Sequence, residues 1–230
     1  MKICVLNGSP KGPDSVTMQY IAYWRQQFPE HAFDIIHASR QCPRIEKNLD
    51  FFDETIARVR QADFIVWAFP LYFLLVHSNY MRFIELIFER GREDAFQGKP
   101  AISLSTSIHF FDHTAHFYIR SICDDLGLNY IDFLPAHMHD LLDDKRRSSL
   151  DALFGRWIRQ AQLNLSVPRA YPVEPTASST VETVASSTAE PASSSSGGVC
   201  FTYQPAGAVQ PLPTEKKVCI VVDEGRNGQN

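Results

Sequence analysis

Short apolar runs alternate with amphipathic segments along the first 165 residues. The runs are rich in β-branched and aromatic residues, and we predict five strands from them: 2–7 (KICVLN), 33–38 (FDIIHA), 64–70 (FIVWAFP), 101–107 (AISLSTS) and 130–136 (YIDFLPA). The intervening segments carry apolar residues at steps of three and four, which is typical of helices with one buried face. We predict five such helices, around 18–28, 52–62, 79–90, 114–126 and 146–165.

The alternation of strand and helix predicts the fold class. A strand followed by a helix and then a parallel strand makes a right-handed crossover, so this order builds an α/β, doubly wound parallel sheet with helices on both faces. The strands are almost continuously apolar, as a sheet covered on both faces requires. We expect the strand order 2-1-3-4-5, because it gathers the loops after strands one, three and four around one crevice.

The character of the chain changes after residue 165. Residues 173–198 contain twelve Ser or Thr among 26 residues and no Lys or Arg, so they cannot repay their ordering entropy by burial. We therefore expect a domain over 1–165, a disordered linker over 166–213, and a further strand within 214–230. That last strand either opens a second α/β unit or docks on a sheet edge.

Composition narrows the class of partner. The chain has a net charge of −4 and no dense run of Lys and Arg, so nucleic acid is not an expected partner. No apolar stretch approaches the roughly 18 residues of a membrane span, and no signal-peptide pattern precedes the first strand, so we expect a cytoplasmic protein. The five cysteines are scattered without C-x-x-C spacing, which is typical of reduced thiols.

The bend between the first strand and the first helix, LNGSPKGPDSVT (6–17), has the features of an anion site. It combines the N–H groups of a helix N-terminus with the hydroxyls of Ser9, Ser15 and Thr17, and Lys11 adds a charge at its rim. It lacks the Gly-Lys-Ser/Thr ending of a P-loop and the three glycines of a dinucleotide fingerprint. The alternative is that its Ser and Thr residues only cap the helix.

This bend resembles the phosphate loop of the flavodoxin-like flavoproteins, in particular the NADPH-dependent FMN reductase and NAD(P)H quinone reductase group. The likeness spans residues 1–165 and includes two further segments, WAFPLYFLLVHSNYMRFIE (67–85) and STSIHFFDHTAH (105–116). The second segment departs from the group, because bulky Phe110 and Phe111 stand where a glycine-rich turn is usual. The resemblance implies an FMN site, with these binding residues: Ser9, Lys11, Ser15, Val16 and Thr17 on the phosphate; Pro70, Leu71, Tyr72 and Phe73 on the isoalloxazine ring; and Ser105, Thr106, Ser107 and His109 at its pyrimidine end.

The resemblance also implies an activity. It predicts an FMN-dependent oxidoreductase that passes electrons from NADPH or NADH through FMN to a quinone, a flavin or a similar small-molecule acceptor, and it allows a homo-oligomer. Two alternatives remain open. A flavodoxin-type electron carrier would dock proteins through a strongly acidic rim, which the charge of −4 does not favour. A flavin-free scaffold would bind other proteins through the long tail, and the bulky loop with Phe110 and Phe111 leaves it open. Its aromatic residues at the strand ends would merely cap the core.

Histidines form the remaining cluster. His109, His113 and His116 are spaced for one helical face only if the helix begins at His109, whereas Asp112 is the better N-cap, so we expect no metal site. His109 or His113 is a candidate catalytic acid, because imidazole titrates near neutral pH. The alternative is that these histidines, like His137 and His139 after strand five, are merely solvated or cap helices. Cys42 stands alone near the loop and cannot hold an iron–sulfur cluster.

Overall fold

The computed structural model describes residues 1–108 and 111–170. The strands of this part are β1 (Lys2–Asn7), β2 (Ala32–Ile36), β3 (Phe64–Pro70), β4 (Pro100–Ser107) and β5 (Asn129–His137). The α-helices are α1 (Val16–Gln27), α2 (Ala38–Lys47), α3 (Leu49–Arg60), α4 (Ser78–Glu89), α5 (Asp112–Asp125) and α6 (Asp144–Gln162). The predicted strands 2–7 and 64–70 are confirmed at both ends, and the others differ by one or two residues. The linker after 170 and the tail strand lie outside the described residues.

The five strands form one parallel sheet in the order β2-β1-β3-β4-β5, which confirms the predicted doubly wound topology. The register places Leu6 of β1 beside Ile36 of β2 on one side and beside Trp67 of β3 on the other. The carboxyl ends of β1, β3 and β4 therefore share one edge, where open α/β sheets bind ligands. Within the described residues, no helix is long and apolar enough to cross a membrane.

Each face of the sheet is buried under its own set of helices. Along β3, Ile65, Trp67 and Phe69 join the core that also contains residues of α2, α3, α4 and α5. The residues between them along β3 join the other core, where Trp24 of α1 stacks on Phe154 of α6 with ring centroids 4.4 Å apart. Because successive strand residues point to opposite faces, burial on both faces explains the unbroken apolar runs.

The connection from β2 to β3 differs from the prediction. It holds two helices, whereas the sequence pattern predicted only the one around 52–62. The additional helix, α2, contains Pro43, and proline is rarely tolerated inside a helix because it cannot donate to the carbonyl four residues earlier. That carbonyl belongs to Ser39, and it accepts a hydrogen bond from Nδ2 of Asn79 on α4 at 3.2 Å. Cys42 is consequently a buried core residue of a helix rather than part of a loop.

Candidate functional site

Asn7, the last residue of β1, shapes the bend that follows it. Its side chain is fully buried. Its Oδ1 accepts the N–H of Ser9 at 2.9 Å, and its Nδ2 donates to the carbonyl of Gly12 at 3.0 Å. The same Nδ2 lies 2.9 Å from Nδ1 of His37, just after β2. No sequence pattern had singled out Asn7 or His37, since an Asn at a strand end reads as an ordinary turn residue.

The serines of the bend are tied to its backbone. Ser9 Oγ accepts the N–H of Lys11 at 3.3 Å. Ser15 is the N-cap of α1: its Oγ accepts the N–H of Met18 and donates to the carbonyl of Gly12, both at 3.3 Å. The capping role considered for Ser15 is therefore observed. The N–H groups of Val16 and Thr17 occupy the first two positions of α1, where no preceding turn offers a carbonyl.

Gly12 allows Arg40 to lie against the bend. Gly12 has a φ of +64°, a left-handed conformation that favours glycine. A Cβ at this position would also lie 2.8 Å from Cδ and 2.9 Å from Nη1 of Arg40. Arg40 thus adds a cation beside the bend. It belongs to α2, the helix missed from the sequence, which is why no pattern connected it with Lys11.

A cavity of about 520 Å³ opens beside the bend at the carboxyl edge of the sheet. Its walls come from the segments after β1, β3, β4 and β5. Ten of the predicted binding residues line it: Ser9, Lys11, Ser15, Val16, Pro70, Leu71, Tyr72, Phe73, Thr106 and Ser107. Three further lining residues were not predicted: Asp14, Ile108 and Met138. The cavity therefore joins a polar, cation-bearing end to an apolar and aromatic wall.

Thr17 and Ser105 do not line this cavity. Thr17 is fully buried, and its Oγ1 lies 2.6 Å from Oγ1 of Thr106. Ser105 is also fully buried, and its Oγ lies 2.9 Å from Nε2 of His116. Both hydroxyls are thus hydrogen-bonded to other buried side chains of the protein.

Unlike most of the predicted binding residues, the predicted catalytic histidine His113 does not lie at the cavity. His113 is exposed on α5, where its ring packs against Phe111 and Phe117 at centroid distances of 5.8 and 5.9 Å, and it does not line the cavity. His109 lies outside the described residues. Asp112 is the first residue of α5 rather than its N-cap. Its Oδ1 accepts a hydrogen bond from Ser107 Oγ at 2.5 Å, which ties the helix to the cavity wall.

His116 is a core residue instead of a metal ligand. Its Nδ1 lies 2.6 Å from Ser103 Oγ, which also bonds the hydroxyl of Tyr130, and its Nε2 meets Ser105. Burial lowers the pKa of His116 to about 4. Its imidazole is therefore neutral and satisfied on both nitrogens. Among the described residues, no group of three or more His, Cys, Asp or Glu side chains is placed to hold a metal ion.

The turn at the cavity mouth is conformationally strained. Tyr72 and Leu75 exchange two backbone hydrogen bonds of 2.8 and 3.0 Å. Between them, Phe73 and Leu74 have φ values of 36° and 75°, in the left-handed region that two-residue turns normally fill with Asn or Gly. The side chain of Phe73 is 90% exposed as a result. Strain of this kind is maintained mostly at functional sites.

Comparison with known proteins agrees with this architecture. The family model Flavodoxin_2, described as a flavodoxin-like fold, matches residues 1–160. The chain belongs to this family, which confirms the resemblance seen in the bend. No curated protein sequence matches the chain.

Solved structures of two oxidoreductases share the fold. One is the apo form of the NADH:FMN oxidoreductase EMOB, with a TM-score of 0.56 and 19% identity over 73% of this chain and 91% of that chain. Another is FerB, a flavoenzyme NAD(P)H:(acceptor) oxidoreductase from Paracoccus denitrificans, with a TM-score of 0.56 and 16% identity over 71% of this chain and 98% of that chain. At these identities the likeness establishes the fold.

Proposed function

We propose that this protein is an FMN-dependent oxidoreductase that passes electrons from NADH or NADPH to a quinone, a flavin or a similar small-molecule acceptor. One observation carries the proposal: a single cavity joins hydrogen-bond donors and the cation of Lys11 at one end to an apolar and aromatic wall at the other. FMN has the matching chemistry, with an anionic phosphate at one end and a flat, partly apolar ring at the other.

The residues of the bend fit the phosphate. Ser9 and Ser15 line the cavity, and the N–H groups of Val16 and Thr17 head α1, where the helix dipole favours an anion. Because the hydroxyl of Ser15 already donates to the carbonyl of Gly12, Ser9 supplies the hydroxyl donor. Thr17 thus contributes through its backbone rather than through its hydroxyl. Lys11 lines the cavity and Arg40 lies beside Gly12, so both supply positive charge near the bend. Asp14 is the one opposing charge among the lining residues, and it is exposed to solvent, which screens it.

The remaining walls fit the ring. Pro70, Leu71 and Tyr72 offer an apolar surface. Thr106 and Ser107 line the cavity at the end of β4, with their hydroxyls already bonded to Thr17 and Asp112. A cavity of about 520 Å³ is within the usual range for a cofactor site. When bound, FMN would take a hydride from the nicotinamide and return two electrons to the acceptor. The protein's own residues would orient the ring and shield one of its faces from water.

The two structural relatives support the same class of reaction. One is an NADH:FMN oxidoreductase and the other is a flavoenzyme NAD(P)H:(acceptor) oxidoreductase. We assign no acid role to His113, because its ring packs against α5 neighbours and lies off the cavity lining. A role for His109 stays a prediction.

Flavin binding and anaerobic reduction test the proposal directly. Purified protein is titrated with FMN, and the loaded protein is mixed with NADH or NADPH while the flavin absorption is followed. We expect the flavin absorption to bleach when NADH or NADPH is added. It should recover when a quinone or free flavin is added. Absence of saturable FMN binding would refute the proposal. Reduction without turnover by any small acceptor would instead favour the electron-carrier alternative.

A further inference from the structure

The amide of Asn7 can satisfy its neighbours in only one orientation. The N–H of Ser9 is a donor, so it must face Oδ1 of Asn7. Nδ2 of Asn7 then faces the carbonyl of Gly12 and Nδ1 of His37. Because Nδ2 is a donor, Nδ1 of His37 has to accept. The imidazole of His37 must therefore be neutral, with its proton on Nε2.

We propose that neutral His37 is a positioning residue, which holds the bend of residues 6–17 in its ligand-binding shape through Asn7, and that protonation of His37 weakens the binding of FMN. The proposal rests on the proposed function for its ligand. A doubly protonated imidazole would turn an N–H toward the N–H of Asn7. Asn7 would then have to give up its bond to His37 or rotate away from Ser9 and Gly12.

The link from His37 to the ligand is short. Ser9 lines the cavity, and its N–H is one of the groups that Asn7 holds. The carbonyl of Gly12, which Asn7 also holds, accepts a second bond from the cavity residue Ser15. A shift of Asn7 therefore moves both ends of the bend. His37 itself does not line the cavity, so its effect passes through Asn7.

The surroundings of His37 keep it neutral near pH 7. Burial lowers the pKa of His37 below its ordinary value, and the positive charges of Arg40 on α2 and Arg58 on α3 lower it further. Arg58 is itself paired with Asp34 on β2. The other titratable groups near the bend and at the start of α4 are Lys11, Asp14 and His77. We therefore expect the bend to be intact at neutral pH and to loosen in acid.

Three proteins compared across pH test this role. In His37→Asn, the side-chain oxygen can accept from Asn7 without titrating, whereas His37→Phe removes the acceptor. FMN dissociation constants are measured from pH 7.5 down to the lowest pH at which all the proteins remain folded, for both variants and the wild type, with His139→Asn as a control for losing an exposed histidine. The phosphate of FMN also titrates near pH 6, but it does so equally in all four proteins.

The expected pattern separates positioning from a merely structural effect. At pH 7.5, His37→Phe should bind FMN about fivefold to tenfold more weakly than the wild type, as expected for one lost hydrogen bond, while His37→Asn should stay within about twofold. As the pH falls through the pKa of His37, the wild type should approach His37→Phe, and His37→Asn should become the tighter binder. Equal affinities and equal pH slopes for the wild type and His37→Phe would overturn the proposal.

A second readout needs no flavin. In amide NMR spectra, the backbone N–H of Ser9 and the side-chain NH₂ of Asn7 should shift with the titration of His37 in the wild type and stay constant in His37→Asn. If the amide signals of Ser9 and Asn7 do not shift as His37 titrates, the positioning role is refuted. Failure of the wild type to bind FMN at any pH would instead refute the proposed function, and the two failures are thereby distinguishable.

Discussion

Oγ1 of Thr17 on α1 lies 2.6 Å from Oγ1 of Thr106 on β4, and both threonines are buried. This pair joins the first helix to the fourth strand beside the cavity. Removing one partner would leave the other hydroxyl buried without it, which typically costs about 1–3 kcal/mol. Replacing both at once removes the imbalance.

Thr17→Val should therefore lower the free energy of unfolding by about 1–3 kcal/mol, and the double variant Thr17→Val, Thr106→Val should recover most of that loss. Urea unfolding of the single and double variants measures the effect. Because the hydroxyl of Thr17 does not line the cavity, FMN and riboflavin affinity should change in parallel. A selective loss of FMN affinity in Thr17→Val would mean that its hydroxyl contacts the phosphate.

The strained turn at the cavity mouth predicts a stabilising substitution. Leu74 has a φ of 75°, which glycine adopts without a Cβ penalty, so Leu74→Gly should stabilise the protein by about 1 kcal/mol. For a domain of this size that amounts to a rise in Tm of roughly 2–4 °C. Leu75→Gly is the matched control and should lower Tm. A lower Tm for Leu74→Gly would show that its side-chain contacts outweigh the strain.

The buried His116 predicts a pH dependence of stability. Its pKa is lowered to about 4, so below pH 6.5 the unfolded chain binds a proton at this residue that the folded protein does not. This contribution to stability is complete above pH 6.5 and is lost as the pH falls to about 4, by about 3 kcal/mol in all. Unfolding free energies of the wild type and His116→Gln should converge between pH 7 and pH 4.5. A constant difference would contradict this account.

Asn79 is expected to compensate for Pro43. Asn79→Ala leaves the carbonyl of Ser39 without its partner and should cost about 1 kcal/mol. In a Pro43→Ala background the N–H of Ala at 43 can reach that carbonyl, so the same substitution should cost clearly less. A double-mutant cycle with urea unfolding measures the coupling. If Asn79→Ala lowers the free energy of unfolding equally in both backgrounds, Asn79 does not compensate for Pro43.

The sequence was sufficient for the sheet because β1 is an apolar run that ends at Asn7 and Gly8, and β3 is one that begins after Asp63 and ends at Pro70. A strand buried on both faces is typically such an unbroken apolar run. It was insufficient for α2, because Pro43 argues against a helix there. The carbonyl of Ser39 that Pro43 leaves without a backbone donor is bonded instead by the side chain of Asn79 on α4. That contact joins residues far apart in the chain, and no local pattern reports it. The family resemblance rested on the bend together with the segments 67–85 and 105–116, and the family model over residues 1–160 confirms it.

The individual site residues were harder to assign than the site itself. Ser9 and Thr17 are equally plausible phosphate ligands by residue type, yet only the first has its side chain at the cavity. Ser105 and Thr106 are neighbours on β4 and point to opposite faces, so one meets His116 and the other lines the cavity. Asn7 was missed because its importance lies in three simultaneous hydrogen bonds, which only the folded chain brings together.

The proposal that the bend of residues 6–17 holds the phosphate of FMN is decided by titrating Ser9→Ala with FMN and with riboflavin. Ser9 should lose a hydrogen bond to a charged acceptor, worth about 1.5–3 kcal/mol, so the dissociation constant of FMN should rise about tenfold to a hundredfold. Riboflavin has no phosphate, and its affinity should change by less than about twofold. Unchanged FMN affinity in Ser9→Ala, or an equal loss for both ligands, would contradict the claim.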